Sequence, residues 1–365
     1  MATPLLPHQG HRTETDMTRR GMLRRLACMV GVALGAALGG AHAQALHPPV
    51  KIRINTAGLF AESGLFLAYD KGYFKEEGLD VQLVATASAN SSSDTLAQLA
   101  GGELDLGSMS LSAALFNALN RGIGVVGLLP LNTVGPNDHS SGIAVRRDLV
   151  ESGKYKRPQD LRGMRIGVLT LGGNAHFNVL RALQQAGLSE TDVHITTLSF
   201  PDAVVALTNK SLDAAFQVEP FISLAKARGA AVMAIPQGQT SPPLPTIVLF
   251  ANRDFAMANK EAVSRFVTAL LRGQREFIRA SASGGPAKEE LIRSLQAHTP
   301  VKDVNLLRAI GLPNAEPNGA SNAAALAEVQ KFFIASGVQK KVVEPAKVFD
   351  PAYVDYAIGR LGRAK

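Results

Sequence analysis

Five short stretches of this 365-residue chain gather small, hydroxylated and amide-bearing residues. They are Glu62-Ser63-Gly64, Ser88-Ala89-Asn90-Ser91, Ser108-Met109-Ser110, Thr170-Leu171-Gly172-Gly173-Asn174 with Ala175 behind it, and Val218-Glu219-Pro220. Hydroxyls, amides and carboxylates hold a ligand by hydrogen bonds, and glycine lets the backbone approach it. None of the stretches pairs a nucleophile with a base, so the chemistry they offer is recognition rather than turnover. The candidate ligand contacts are Glu62, Ser63, Gly64, Ser88, Asn90, Ser108, Met109, Ser110, Gly172, Gly173, Asn174, Ala175 and Glu219. Taken singly, each Ser or Asn is better explained as a helix cap, and Gly172-Gly173 as a turn. The functional reading rests on the agreement of all five.

Catalytic alternatives find less support. His176 and Ser108 lack a G-x-S-x-G elbow and an acid placed to orient the imidazole. A histidine opening an amphipathic helix reads as a cap or a wall residue. His139, His176, His194 and His298 lie far apart in sequence, which argues against a metal site. GVLTLGG lacks the third glycine of a dinucleotide fingerprint and the lysine of a phosphate loop. No catalytic residue, metal or cofactor is assigned.

Arg19, Arg20, Arg24 and Arg25 precede a short apolar run, Leu26 to Leu38, which leads to Ala41-His42-Ala43 and Ala43-Gln44-Ala45. That order describes a secretory signal too short to anchor a membrane. Thr18-Arg19-Arg20-Gly21-Met22-Leu23 resembles the twin-arginine export motif, with Met17 as an alternative start. The expectation is residues 1–45 as a cleaved signal peptide and a periplasmic mature protein. Cys28, the only cysteine, sits at the beginning of the apolar run rather than at its end, which argues against lipid anchoring, and it leaves with the signal. The signal carries three of the eight formal net positive charges. The remaining basic residues are scattered, with no aromatic-interleaved stripe, so nucleic acid is not an expected partner.

From Val50 onward, short β-rich runs alternate with helical patterns, which predicts parallel α/β sheets. The rhythm restarts at MRIGVLT. Leu99, Leu104 and Asp105 recur as Leu207, Leu212 and Asp213 at a constant offset of 108, the mark of a duplicated lobe. Asp105 and Asp213 are expected to bond backbone amides in the turns after them. Two extended apolar segments, Gly142 to Val145 and Thr246 to Ala251, are where the chain is expected to cross between lobes. Residues 46–141 with 247–365 would form lobe 1 and the C-terminal helices, and 142–246 would form lobe 2. Helices are predicted over Lys260–Ala282, Lys288–Ala297, Ala323–Ser336 and Pro351–Leu361. In an open α/β sheet the ligand crevice lies beyond the carboxyl ends of the strands, where the five stretches fall.

"GLFLAYDKGYFKEEGLDVQLV", "QLAGGELDLGSMS", "DLRGMRIGV" and "ALTNKSLDAAFQVEPF", in this order and spacing, resemble the nitrate/sulfonate/taurine/thiamine-pyrimidine substrate-binding proteins of ABC importers. The resemblance runs from about residue 50 to 250 and more loosely through the helical tail. It implies a type II periplasmic-binding-protein fold, two α/β lobes on a two-segment hinge, that closes on a small-molecule ligand. It also implies an ABC permease with its ATPase as partner, and a monomeric binding protein. The family's pocket positions fall on Glu62 to Gly64, Ser88 and Asn90, Ser108 to Ser110, Gly172 to Ala175, and Glu219. There is no Trp for the aromatic sandwich of the pyrimidine-binding members, and no Cys-rich segment of the pyrimidine-synthesising branch. The function expected is capture of a sulfonate, carboxylate or related nitrogen compound. A thiamine-precursor pyrimidine or a sensor ligand module is the alternative, and an exported enzyme a more distant one. Helix starts at Ser63, Ser110 and Asn174 favour an anionic head, while Glu62 and Glu219 favour an N–H donor, so a ligand with both is expected.

Overall fold

The computed structural model describes residues 1–2, 45–86, 92–241 and 243–364. The chain divides into Met1–Gln44 and Ala45–Lys365, and the architecture below is that of the second unit. The expected signal peptide, with Arg19, Arg20 and Cys28, and the loop residues Ser88 and Asn90 lie outside the described residues.

β1 (Val50–Thr56), β2 (Leu79–Ala85) and β3 (Leu106–Ser110) run parallel, linked by α1 (Ser63–Asp70) and α2 (Ser92–Ala100). α3 (Ala113–Asn120) leads to β4 (Val125–Pro130), and the chain departs through the short β5 (Thr133–Val134). A second lobe follows, built from β6 (Ser141–Arg146), β7 (Arg165–Val168), α4 (Asn174–Gln185), β8 (His194–Thr197), α5 (Phe200–Thr208), β9 (Ala214–Val218), α6 (Phe221–Ala227) and β10 (Ala231–Pro236). β11 (Leu244–Pro245) brings the chain back, and β12 (Ile247–Asn252) enters the first sheet.

The two strand orders, β2-β1-β3-β12-β4 and β8-β7-β9-β6-β10, are one plan used twice. In each, the fourth strand is antiparallel to both neighbours, so neither sheet is purely parallel as the alternation predicts. The reason is connectivity: β6 and β12 are the strands that have just arrived from the other lobe. The segments expected to be crossings are therefore themselves core strands. The crossings lie just outside them, where β5 and β11 pair as a two-stranded antiparallel ribbon, Val134 opposite Leu244 and Thr133 opposite Pro245.

The repeated aspartates have one job in both lobes, though not in the following turn. Asp105 accepts the backbone N–H of Arg53 on β1 at 2.7 Å and also binds its guanidinium. Asp213 accepts the backbone N–H of Arg165 on β7 at 3.0 Å and grips that guanidinium in the same way. Each carboxylate thus clamps the start of one strand to the neighbouring strand, beneath buried Leu104 and Leu212.

The tail forms α7 (Lys260–Ala282), α8 (Pro286–His298), α9 (Ala323–Ala335) and α10 (Ala352–Leu361), close to the predicted spans. Val263, Phe266, Val267 and Leu270 of α7 pack with Ile52, Ile54 and Leu106 of the first sheet. α1 crosses α7 at two glycines. A Cβ on Gly64 would stand 2.6 Å from Cγ and 2.9 Å from Cα of Gln274, and one on Gly273 would stand 2.1 Å from the Gly64 carbonyl oxygen. α9 reaches the other lobe, where Phe332 meets Phe177 of α4 edge to face at 4.7 Å.

Candidate ligand-binding cleft

Between the lobes, at the carboxyl ends of β3 and β9, lies a cavity with about 60 Å³ open to the centre of a water-sized sphere. One water needs roughly 10–15 Å³ on that measure, so the space suits a small organic molecule. Phe60, Ser110, Thr246 and Ile247 line it from the first lobe and its return strand; Thr170, Asn174, Phe200, Phe216 and Glu219 line it from the second; Asn132, Ser140 and Gln237 come from the crossings. The lobes also touch through backbone. Ala113 N donates to the Gly172 carbonyl at 3.0 Å, and Phe60 N donates to the Glu219 carbonyl at 3.4 Å.

Of the sequence candidates, Ser110, Asn174, Ala175 and Glu219 line this cavity. The other described ones sit behind it. Glu62 is 1% exposed and accepts hydrogen bonds from Thr56 Oγ1, Ala57 N, Leu59 N and Ser108 Oγ, the last at 2.6 Å. Its carboxylate organises the β1–α1 turn and ties it to β3, and Ser108 is its partner rather than a cavity-lining side chain. Burial pushes the Glu62 pKa up against these four donors. Ser63 Oγ donates to the Phe60 carbonyl at 2.6 Å, Gly64 serves the α1–α7 crossing, and Met109 is buried among Leu99, Leu115 and Phe116. Gly172, at φ +70°, makes the turn that presents its carbonyl across the cleft, and Gly173 begins α4 with no room for a Cβ beside Thr170.

Of the two readings of His176, cap or wall residue, its contacts fit the first: it does not line the cavity and instead bonds the turn before α4. Its Nδ1 accepts the Gly172 backbone N–H at 3.0 Å, which places the ring proton on Nε2, facing Glu190 Oε1 at 3.2 Å. Burial lowers its pKa, against the pull of Glu190. A neutral His176 therefore holds the 170–174 turn.

Among the described residues Glu219 is the one ionisable side chain lining the cavity. It is 6% exposed, accepts from Ser223 N at 3.1 Å and Ser223 Oγ at 2.9 Å, and burial pushes its pKa up to about 7 against those bonds and Lys226. Asn174 is held through Oδ1, which accepts from Asn178 Nδ2 at 3.0 Å and Gln237 Nε2 at 3.4 Å. Asn132 is held through Oδ1 by Thr246 Oγ1 and Ile247 N. Asn132, Ser140, Ser141, Gln237 and Thr246 escape the sequence reading because they lie in or beside the crossings, without periodicity or motif. The signal that could have found them is topological: any residue where the chain passes between lobes borders the space between them. Among the described residues no group of three or more His, Cys, Asp or Glu side chains is placed to hold a metal, and no helix is long and apolar enough to cross a membrane.

Two α/β lobes of one plan, joined by two crossings with a polar-lined cavity between them, define a periplasmic-binding-protein fold. The chain belongs to the NMT1/THI5 like family, whose model matches residues 60–280. No curated protein matches it. Among solved structures it is similar to the periplasmic aliphatic sulphonate binding protein SsuA from Escherichia coli, at 20% identity over 83% of this chain and 92% of that one, TM-score 0.63. The periplasmic nitrate-binding protein NrtA from Synechocystis PCC 6803 aligns at 15% identity over 86% and 89%, TM-score 0.68. The ligand binding component of an ABC-type import system from Staphylococcus aureus aligns at 12% identity over 84% and 99%, TM-score 0.71. At these identities the likeness is one of fold.

Proposed function

We propose that this protein is an exported solute-binding protein that captures a small organic solute in its interlobe cleft and delivers it to an ABC importer. The carrying observation is the cavity itself, small and mostly enclosed, with polar side chains converging from both lobes and both crossings. A ligand touching both lobes favours the closed arrangement, which gives a permease a form to recognise. The twin-arginine and Ala-x-Ala residues support export of residues 46–365 to the periplasm. The binding proteins whose fold it shares support delivery to a membrane permease with its ATPase. The candidate contacts are Ser110, Asn174, Ala175 and Glu219, joined by Asn132, Ser140, Gln237 and Thr246. Among the described residues no Lys, Arg or His lines the cavity. Of the solute classes expected, a nitrogen compound therefore fits better than a sulfonate or carboxylate.

Mass spectrometry of solute released from protein purified without refolding, followed by uptake of that solute in cells lacking the gene, tests this reading. Recovery of an unchanged small molecule whose uptake falls in the deletion strain is expected. Conversion of the molecule by the purified protein would instead indicate an enzyme, and intact uptake with lost signalling would indicate a sensor module.

A further inference from the structure

Hydrogen-bond polarity in the cleft narrows the solute further, an inference that rests on the solute-binding reading above. Three hydroxyls that line the cavity spend their protons on the protein. Ser140 Oγ donates to Asp138 at 2.5 Å, Ser141 Oγ to Gln237 Oε1 at 2.8 Å, and Thr246 Oγ1 to Asn132 Oδ1 at 2.8 Å. A hydroxyl whose single proton is committed has only lone pairs left to offer. Glu219 adds a carboxylate, and among the described residues no cationic side chain lines the space. The donors facing a ligand are all uncharged: the amides of Asn132, Asn174 and Gln237, each already anchored through its oxygen, Thr170, and a share of Ser110, whose hydroxyl pairs with Ser92 at 2.8 Å. The start of α4 contributes a partial positive charge of about half a unit, against the full unit of an ionised Glu219. Phe60, Phe200 and Phe216 supply an apolar wall.

We propose that the cleft selects an organic cation, a protonated amine or amidinium, whose N–H groups are received by the Glu219 carboxylate and the Ser140, Ser141 and Thr246 oxygens while its apolar body lies against Phe60, Phe200 and Phe216. An anion placed there would face Glu219 with no counter-charge and would meet lone pairs at three of its contacts. The sulfonate and nitrate named for the proteins of like fold thus do not carry over to this cavity. Binding of a cation keeps Glu219 ionised, so uptake of the ligand below neutral pH releases a proton; an anion would do the reverse. The charged groups on the elements around Glu219 are Lys226 on the helix that follows it, Asp138 behind Ser140, Glu62 behind Phe60, and exposed Asp202 on α5.

The test is titration calorimetry and thermal melting of the purified protein with matched probes: benzamidine and butylamine as cations, benzamide as the neutral control, and benzoate, propane-1-sulfonate and nitrate as anions. Calorimetry at pH 6 in two buffers of different ionisation enthalpy reads the proton count. The cations should bind and raise the melting temperature, with proton release at pH 6. Glu219→Gln should weaken them at least about tenfold at pH 8, the fold-change of one charge-assisted hydrogen bond, while a melting temperature no lower than wild type shows that the variant is folded. Lack of binding by both cations, preference for benzamide or an anion, or proton uptake overturns the inference. If an anion binds, solute binding stands and only the ligand class falls. Solute binding itself fails separately, when protein purified without refolding yields no small molecule at all.

Discussion

Glu62 and Glu219 are both buried acids in cleft-edge turns, and their neighbours give them different work. Glu62 satisfies two backbone N–H groups and two hydroxyls, so Glu62→Ala leaves four donors without that acceptor, two of them, Leu59 N and Ser108 Oγ, fully buried. A loss of about 3–5 kcal/mol is expected, measured as a lower denaturant midpoint at unchanged slope. Glu219 has only Ser223 as a donor and stays hard to ionise, at about 7. An acid whose folded pKa lies above its unfolded value costs stability once the unfolded chain ionises. Its contribution is intact below about 4.5 and is lost as pH rises toward 7. Glu219→Gln should therefore gain on wild type as pH rises, by about 1–3 kcal/mol between pH 4.5 and 8. Parallel melting curves across that range would show that burial of this carboxyl carries no such cost.

At the scale of elements, the most constrained contact is the crossing of α1 and α7. Neither Gly64 nor Gly273 has a left-handed backbone, so their need for glycine comes from space rather than conformation. Gly273→Ala puts its Cβ against backbone, which cannot rotate away, and should cost about 1–3 kcal/mol or more through displacement of the helix pair. Chemical denaturation checks it, with the exposed helical Gly359 of α10, which has nothing within 4 Å of an added Cβ, as the control for helix and entropy effects. The same crossing fixes the start of α1, and through Phe60 and Ala61 the floor of the cleft. Packing remote from the ligand thus sets the position of its wall.

For the whole molecule, the consequential feature is the paired ribbon β5–β11 between two self-contained sheets. Each sheet has its own buried core, so closure can leave both intact and concentrate change in residues 131–140 and 237–246. Besides the backbone bonds from Ala113 to Gly172 and Phe60 to Glu219, the lobes share apolar contacts, Phe177 of α4 with Phe332 and Phe333 of α9, and Leu59 in the core of the second lobe. Small-angle scattering should give a smaller radius of gyration with the recovered solute than after its removal. An unchanged radius at saturation would mean that the ligand does not bridge the lobes.

Local residue chemistry determined much of this protein. Alternating β-rich runs and helical periods require α/β lobes, the Leu-Asp repeat 108 residues apart marks their duplication, and the amphipathic tail helices fall close to their predicted spans. Asp105 and Asp213 are legible as structural residues, yet they stand just before β3 and β9 rather than at a strand end, and their true partners, Arg53 and Arg165, are some fifty residues away in sequence. Tertiary structure alone decided which polar residue faces the ligand. Glu62 and Glu219 look alike in sequence; one meets four donors within its own lobe, and the other meets only Ser223 and lines the cavity. It also decided that β6 and β12 run against their neighbours, since strand direction is set by the side from which the chain returns. The crossing residues Asn132, Ser140 and Thr246 gain their place in the cleft for the same reason: spacing along a chain carries no record of where two separate lobes will meet.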